Sequence, residues 1–337
     1  MTTRADTTRD GAARRGTAGA VAALRGQPAA AAPAGPRRAR RRLSRRHAEW
    51  LAGYLFVAPD CIGLLVFVAI PMIFSFVIGF FQSSGFGGYS FAGLANYRRM
   101  FADPIFLKSV TITVVYVAVF VPLLFAVSLG LALLVQRKRR LIGLLRSLFF
   151  APNVVSLVVV GLVWQLLLID KIGVVNRILE AIGAPSQSFL GDPLLALGSV
   201  LVISVWFFMG FYMTIFIAGL QDIPRDYYEA ARMDGAGRWA VFRAITWPLL
   251  KPTSLFVLML STITGVGGLQ AFDLIYIMTK GGPDNGTALA IFYVYQQAFQ
   301  LNDFGYAAAM ASFVVFIMLA GMLIMFRLTK GGRFDAE

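Results

Sequence analysis

Glu229 lies in a polar segment, residues 222–248, that separates two long apolar stretches of this 337-residue chain. Pro224 suits the first position of a helix, where a missing N–H leaves no bond unmade. Gly235 suits the left-handed residue that follows the last turn of a helix. We therefore predict a short helix from Pro224 to Asp234 with one exposed glutamate beside small alanines. Such a surface lets a partner approach closely and offers it a single negative charge.

A second helix is predicted directly after this one. Its apolar residues recur at three- to four-residue spacing and make one stripe, namely Trp239, Phe242, Ile245 and Leu249. Pro248 and Pro252 are expected to bend the chain towards the next apolar stretch. Periodicity alone also allows a plainer interpretation, in which residues 222–248 are a solvated connection between two spans.

The composition indicates an integral membrane protein. Hydrophobic residues make up 58% of the chain and charged residues 14%, with a mean hydropathy of +0.71. Globular domains are usually near half apolar and a quarter charged. A single cysteine, Cys61, excludes an intrachain disulfide and a multi-cysteine metal site. A single histidine, His47, argues against a histidine-based active site.

Six apolar stretches are long enough to cross a bilayer at about 20 residues each. All six are expected to be helices, because lipid cannot satisfy open backbone groups, so the fold class is an all-α membrane protein. Asp273 is the one charge inside them. It could bind substrate or pair at the outer interface, and we favour the interface. The predicted spans are Cys61–Phe81, Val110–Val135, Ser147–Ile169, Pro193–Leu220, Pro252–Met278 and Gly305–Phe326.

The distribution of lysine and arginine predicts the orientation. Alternating sides along the spans gives 25 of the 31 basic residues to the side that holds both termini and Glu229, and six to the other. Basic loops face the cytoplasm, so both termini and residues 222–248 are predicted to be cytoplasmic. The net charge of +14 is thereby explained without nucleic-acid binding.

Three regions are predicted from this pattern. Residues 1–48 are a disordered basic cytoplasmic tail, and its arginine-rich part favours anchoring to anionic membrane lipid over nucleic-acid binding or a lipid switch. Residues 49–330 form the six-helix transmembrane domain, with a loop at 221–252. Residues 331–337 are a short cytoplasmic tail.

The spacing within the polar segment resembles the EAA signature of permease subunits of binding-protein-dependent, ATP-driven importers. Trp247 departs from the signature, which usually has leucine there. Other segments resemble the carbohydrate branch, the maltose-type and glycerol-3-phosphate-type permeases, over residues 50–330. The signature positions are Glu229, Ala230, Ala231, Gly235, Ile245 and Pro248. The other segments are Tyr54–Pro59, Phe91–Tyr97, Leu148–Pro152, Phe272–Tyr276, Gly281–Pro283 and Asp303–Ala309.

The resemblance implies a type I ABC importer permease fold in a bacterial cytoplasmic membrane. It implies pairing with a second, homologous permease, with two ATPase subunits below and an extracytoplasmic solute-binding protein that delivers a carbohydrate. The helix at Glu229 would then be a cytoplasmic coupling helix seated in an ATPase subunit. The residues implied in coupling are Glu229, Ala230, Ala231, Asp234, Gly235, Ile245 and Pro248.

The chain carries no phosphate-binding Gly-x-x-x-x-Gly-Lys-Ser/Thr loop and no nucleophile–base or metal set, so no catalytic or metal-binding residue is predicted. ATP and magnesium are expected in the partner ATPase, and no cofactor is expected in this chain. An intramembrane enzyme is therefore disfavoured. An ion-coupled secondary transporter is disfavoured because the spans are nearly free of charge.

The substrate path is predicted from polar and aromatic residues inside spans, which the resemblance places near the sugar cavity. Packing between helices is the alternative role for each of them. The residue types differ from those of the maltose-type permease, so another solute, such as a glycerol phosphodiester, stays open. The predicted path residues are Asn153, Ser156, Phe207, Phe208, Phe211, Thr264 and Gln270.

Overall fold

The computed structural model describes residues 45–83, 87–136, 140–267 and 269–328. These residues are almost entirely helical, as predicted, apart from a short antiparallel hairpin in which Phe81–Gln82 pairs with Ser90–Phe91. Most of the predicted tail 1–48 and all of the tail 331–337 lie outside the described residues, so both stay predictions. Contacts divide the chain into two units, 1–59 and 60–337, and the account below concerns the second.

Helices account for most of the described residues, and loops such as residues 182–192 and 279–289 connect them. The α-helices are Arg45–Leu64, Ile70–Ile78, Ala95–Ala102, Pro104–Val135, Arg140–Phe150, Leu157–Leu167, Val174–Ala181, Pro193–Asp222, Arg225–Met233, Arg238–Val241, Trp247–Gly267, Leu269–Met278, Ala290–Tyr295 and Phe304–Leu328. Three π-helical segments, Leu65–Ala69, Phe242–Thr246 and Gln296–Gln300, and one 3-10 segment, Ala151–Val154, join some of them.

Five described helices are long and apolar enough to cross a membrane, and a bent pair makes a sixth candidate span when its two halves are counted as one. The predicted six spans are thus confirmed, although most begin or end several residues away from the predicted bounds. In chain order the spans are Ala52–Ile78, Pro104–Val135, the pair Ile142–Val154 and Leu157–Leu167, Pro193–Asp222, Arg238–Met278 and Phe304–Arg327.

The prediction for the third span was wrong. One helix was expected over Ser147–Ile169, but the two halves of this span meet at 95°. Pro152 has no N–H and disfavours helical geometry in the residue before it. The chain tightens into the 3-10 segment, and Val155 and Ser156 then take extended ψ angles of 147° and 131°. The backbone therefore leaves helical geometry in the middle of this span.

The second and fourth spans begin with the same local device. Asp103 precedes Pro104, and Asp192 precedes Pro193. Each aspartate accepts hydrogen bonds from the two backbone N–H groups that follow its proline, at 2.9–3.2 Å for Asp103 and 2.9 Å for Asp192. The carboxylate satisfies donors that a helix start leaves unpaired, so both span starts are fixed by local sequence.

The core lies between the second, fourth and fifth spans. Gly265 brings the fifth span close to the second, because a Cβ added there would lie 3.3 Å from Val117 and 3.4 Å from Phe120. Small residues let membrane helices pack closely in this way, as the packing interpretation of this part of the fifth span predicts. The largest fully buried side chains of these three spans are Phe106, Tyr116, Phe120, Leu124, Ile203, Tyr212, Met213, Phe216 and Leu250.

Asp103 also joins elements at the span ends remote from Glu229. Its Oδ2 atom accepts hydrogen bonds from the hydroxyls of Tyr293, at 2.8 Å, and Tyr306, at 2.7 Å. Arg99 lies 3.9 Å from the centre of the Tyr306 ring and pairs with Asp303 at 2.6 Å. Burial opposes ionisation, but the two hydroxyls and two backbone N–H groups outweigh it and lower the pKa of Asp103 below its ordinary value of 3.8.

We expect Asp103→Asn to lower the stability of the folded protein by about 1 kcal/mol, because two charge-assisted hydrogen bonds become neutral. A carboxyl whose pKa is lowered by folding stabilises the protein above its ordinary pKa. That contribution should be constant between pH 7 and 5. It should be lost as pH falls below 3.8 through the lowered pKa. Thermal unfolding in detergent at several pH values measures both effects.

Asp192→Asn is the matched control, since asparagine also caps a helix and the only hydrogen bonds described for Asp192 are its two cap bonds. It should change the unfolding temperature little. Equal losses in the two variants would show that the tyrosine bonds of Asp103 contribute nothing.

Candidate functional site

The helix predicted at Glu229 is present as Arg225–Met233. Pro224 precedes it as the capping residue, with an extended ψ of 138°, rather than occupying its first position. At the other end the N–H of Gly235 bonds to the Arg232 carbonyl at 3.1 Å, and that of Ala236 to the Ala231 carbonyl at 2.9 Å. These two bonds make a Schellman motif, which requires a left-handed residue.

Gly235 supplies that residue with a φ of +72°, as predicted. We expect Gly235→Ala to destabilise the end of the helix by about 1 kcal/mol, because a Cβ is strained in this conformation. Hydrogen exchange of the amides of residues 225–234 should then become roughly fivefold faster.

Gly237→Ala provides the control, because Gly237 has a φ of −69° and no atom within 4 Å of an added Cβ. Exchange in the control should stay at the wild-type rate. If Gly235→Ala exchanged no faster than Gly237→Ala, the left-handed turn would not hold the helix end.

The predicted coupling residues divide between an exposed surface and its support. Glu229, Ala230, Asp234 and Gly235 are exposed, while Ala231 is half-buried. No hydrogen bond or ion pair among the described residues uses the Glu229 carboxylate, so its charge is unpaired there. Nothing in the described subunit covers this surface.

Three large apolar side chains are exposed in the same polar segment as Glu229, and two of them, Tyr227 and Met233, were not predicted as site residues. Met233 is 88% exposed, Trp239 is 72% exposed and Tyr227 is 53% exposed. Tyr227 and Met233 stand three residues before and after Ala230, so they share its side of the helix. This three-residue spacing is visible in the sequence, but it is easily missed because both residues have charged neighbours. The exposed surface therefore combines large apolar side chains with charged groups, among them the carboxylates of Glu229 and Asp234.

The support of this surface is the fifth span, which reaches back to Arg238. Its first residues form the helix Arg238–Val241, the π-helical segment Phe242–Thr246 and the helix from Trp247. Pro248 and Pro252 were expected to bend the chain here, but helical structure runs through both. A π-helical turn precedes Pro248 and absorbs the change in bonding that a proline imposes. The polar segment and the span thus share one continuous helical element.

Contacts tie the exposed helix to this support. The Tyr228 and Thr246 hydroxyls are hydrogen-bonded at 3.2 Å, and Ile245 packs against the core. A row of ring contacts then leads inward from the exposed Trp239 through Phe242 to Trp247, at centroid distances of 5.5 and 6.3 Å. Two further contacts, at 6.4 and 5.1 Å, extend it from Trp247 through Phe125 to Phe216. Trp247, which departs from the EAA signature, is the central ring of this row.

Two predicted path residues, Asn153 and Ser156, lie in the break of the third span. Asn153 is half-buried and Ser156 is exposed. The first half of this span approaches the fourth span at Gly210, where an added Cβ would lie 2.6 Å from the Phe149 carbonyl carbon and 2.7 Å from the Phe150 Cα. A cavity of about 720 Å³ lies beside this contact, lined by Arg146, Ser147, Phe150, Ala151, Val154, Val155, Thr214 and Ile217.

The other predicted path residues do not share one surface. Phe207 and Phe208 are buried in the core, whereas Phe211 is exposed. The Thr264 hydroxyl bonds to the Leu260 carbonyl at 2.8 Å and to the Tyr212 hydroxyl at 3.2 Å, so it fastens the fifth span to the fourth. The side chain of Gln270 lies outside the described residues.

Comparison with known proteins identifies the family of this chain. Residues 124–331 match the family described as binding-protein-dependent transport system inner membrane component. The chain belongs to this family. The matched range contains the whole Glu229 segment and begins within the second span. The permease is thus a multi-pass protein of the inner membrane.

Relatives and a solved structure agree with this assignment. The permease is 36% identical over 274 residues to the lactose transport system permease protein LacF of Rhizobium radiobacter, covering 80% of this chain and 90% of that protein. It is 33% identical over 293 residues to the trehalose/maltose transport system permease protein MalF of Thermococcus litoralis, covering 87% and 97%. The predicted membership of the carbohydrate branch of ABC importer permeases is thereby confirmed.

The fold is similar to a chain of a bacterial alginate ABC transporter, solved in complex with an alginate pentasaccharide-bound periplasmic protein. The TM-score is 0.73 at 23% identity, over 84% of this chain and 95% of that one. The predicted type I importer fold of the permease is confirmed.

Proposed function

We propose that this permease forms one half of the membrane path of an ATP-driven carbohydrate importer and carries its coupling helix, Arg225–Met233. The observation that carries this proposal is the exposed surface with the unpaired Glu229 carboxylate, on a helix that is hydrogen-bonded through Tyr228 to Thr246 of the helical element of the fifth span. A cleft in an ATPase subunit with a basic group would fit it. Movement of the ATPase pair would then reach the spans directly.

The proposed orientation of the permease in the membrane follows from the distribution of its basic residues. The side of the membrane that holds Glu229 has 25 of the 31 lysines and arginines, so we assign it, together with both termini, to the cytoplasm, where ATP is present. The permease itself has no phosphate-binding loop, and two partner ATPase subunits would bind ATP and magnesium. It therefore acts as a non-catalytic transport subunit without a cofactor of its own.

The solute and the remaining partners are proposed from the relatives. Lactose and trehalose/maltose appear in the names of the relatives, and alginate is bound by the periplasmic protein of the similar transporter. A carbohydrate delivered by an extracytoplasmic binding protein is therefore the proposed substrate. A second, homologous permease would close the path, whose wall in this chain would include Asn153, Ser156 and Phe211.

The test is uptake of radiolabelled maltose, lactose and maltopentaose by proteoliposomes that contain the co-purified complex and its binding protein. Uptake should require ATP inside the vesicles and the binding protein outside, and an ionophore should leave it unchanged. Uptake that is driven by an ion gradient and is independent of ATP would contradict the proposal in favour of secondary transport.

A further inference from the structure

A second aromatic cluster lies at the span ends remote from Glu229. Phe272 and Tyr276 stack at the end of the fifth span with centroids 5.7 Å apart. Tyr295 packs edge-on against Phe272 at 5.0 Å and against Tyr276 at 5.7 Å. Phe299 continues the row, 5.2 Å from Tyr295 and 5.9 Å from Phe304 at the start of the sixth span. We call these five residues the aromatic ladder.

The ladder is open to an approaching ligand. Phe299 is 65% exposed and Tyr276 is 40% exposed, whereas Phe272, Tyr295 and Phe304 are half-buried between their neighbours. Each ring packs against its neighbour, so the exposed ring faces are held in position before a ligand binds. The π-helical segment Gln296–Gln300, which follows Tyr295, carries Phe299. Single-turn π-helices are frequent at functional sites.

Polar groups accompany the rings. Tyr276 and Tyr295, whose rings are in contact at 5.7 Å, each add a hydroxyl to the cluster. Asp273 follows Phe272 in the chain, and its side chain is half-exposed. A row of aromatic faces with hydroxyl and carboxylate groups beside it is the chemistry that binds a sugar, whose C–H faces are apolar and whose hydroxyls need hydrogen-bond partners.

We propose that the aromatic ladder is a carbohydrate-binding platform at the entrance of the path, which receives an oligosaccharide from the binding protein. This rests on the proposed function. Five rings in contact at centroid distances of 5.0 to 5.9 Å make a surface larger than one sugar ring. The ladder therefore favours an oligosaccharide over a single sugar, because a longer chain contacts more rings.

An aromatic belt at the membrane interface is the competing explanation, and conservative substitutions separate the two. Phe299→Leu keeps the apolar volume but removes the aromatic face, whereas Phe299→Tyr keeps the face. Phe316→Leu is the control, because Phe316 is a 67% exposed ring of the sixth span that lies outside the ladder. The complete complex in lipid nanodiscs is titrated with maltopentaose and with maltose, and binding is measured by saturation-transfer NMR.

We expect Phe299→Leu to weaken maltopentaose binding roughly fivefold and maltose binding less, whereas Phe299→Tyr and Phe316→Leu bind as wild type does. The proposal would be contradicted if Phe299→Leu and Phe299→Tyr had equal affinities for maltopentaose. It would also be contradicted if Phe299→Leu lost the same affinity for both sugars. Failure of the wild-type complex to bind maltopentaose would overturn it as well. The uptake assay separates the two proposals. If import depends on ATP but Phe299→Leu binds sugar as wild type does, only the proposed role of the aromatic ladder is contradicted.

Discussion

Glu229→Lys should reduce ATP hydrolysis stimulated by the loaded binding protein by about tenfold or more, because it places a like charge against a basic group in a closely packed interface. The wild-type carboxylate has no partner among the described residues of its own subunit, and it stands among the exposed side chains of Tyr227, Met233 and Trp239. An interface that buries these apolar groups would leave the introduced ammonium without solvent or a counter-charge. The measurement is ATP hydrolysis and sugar uptake by the complex in proteoliposomes.

Glu180→Lys is the matched control for the reversal of charge. Glu180 is an exposed glutamate of the short helix Val174–Ala181, which connects the third and fourth spans at the ends remote from Glu229. It should leave hydrolysis and uptake at the wild-type level. Retention of the ATPase subunit by Glu229→Lys during purification separates weakened docking from lost coupling. Normal transport by Glu229→Lys would show that this helix is a solvated connection, as periodicity alone allowed.

Gly210→Ala should destabilise the permease by about 3 kcal/mol, which is the upper range for overpacking a well-packed core. The added Cβ would collide with the carbonyl of Phe149 and lie 2.7 Å from the Phe150 Cα. Both are backbone atoms, which cannot turn away as a flexible side chain can. The third and fourth spans would have to separate next to the break at Asn153. Thermal unfolding in detergent and sugar uptake should both report the change.

Gly198→Ala is the matched control, because Gly198 lies in the same helix and an added Cβ there has no atom within 4 Å. Alanine favours a helix over glycine by about 1 kcal/mol, so this variant should be as stable as wild type or slightly more stable. Equal unfolding temperatures for the two variants would mean that the third span moves away at Phe149 without loss of stability. The close approach would then not fix the position of the break.

Much of the fold follows from local sequence. Helical spans need only an apolar stretch of sufficient length, since lipid leaves the backbone no other partner. The helix at Glu229 was predicted to within one residue at each end, because a proline before it and Gly235 after it act on their immediate neighbours. The family was also recognisable, because its signature is a set of fixed spacings around Glu229.

The prediction that failed, one unbroken helix across the third span, depends on contacts between distant residues. Pro152 lies in this span, and whether a proline kinks or breaks a helix depends on what packs beside it, here Gly210 of the fourth span. Helical structure runs through Pro248 after a π-helical turn, and the bend expected there stays a prediction. Phe207, Phe208 and Phe211 have the same chemistry in sequence, and packing buries the first two; their place in the path stays a prediction.

The sequence by itself determined the all-helical membrane fold, the spans, the Glu229 helix and the family, because each rests on patterns within a few turns of chain. Tertiary structure decided the 95° bend of the third span, the ring contacts from Trp239 to Phe216 and the grouping of Tyr276 with Phe299. These last arrangements join residues far apart in the chain. Their geometry is set by which helix faces meet, and no local pattern records that.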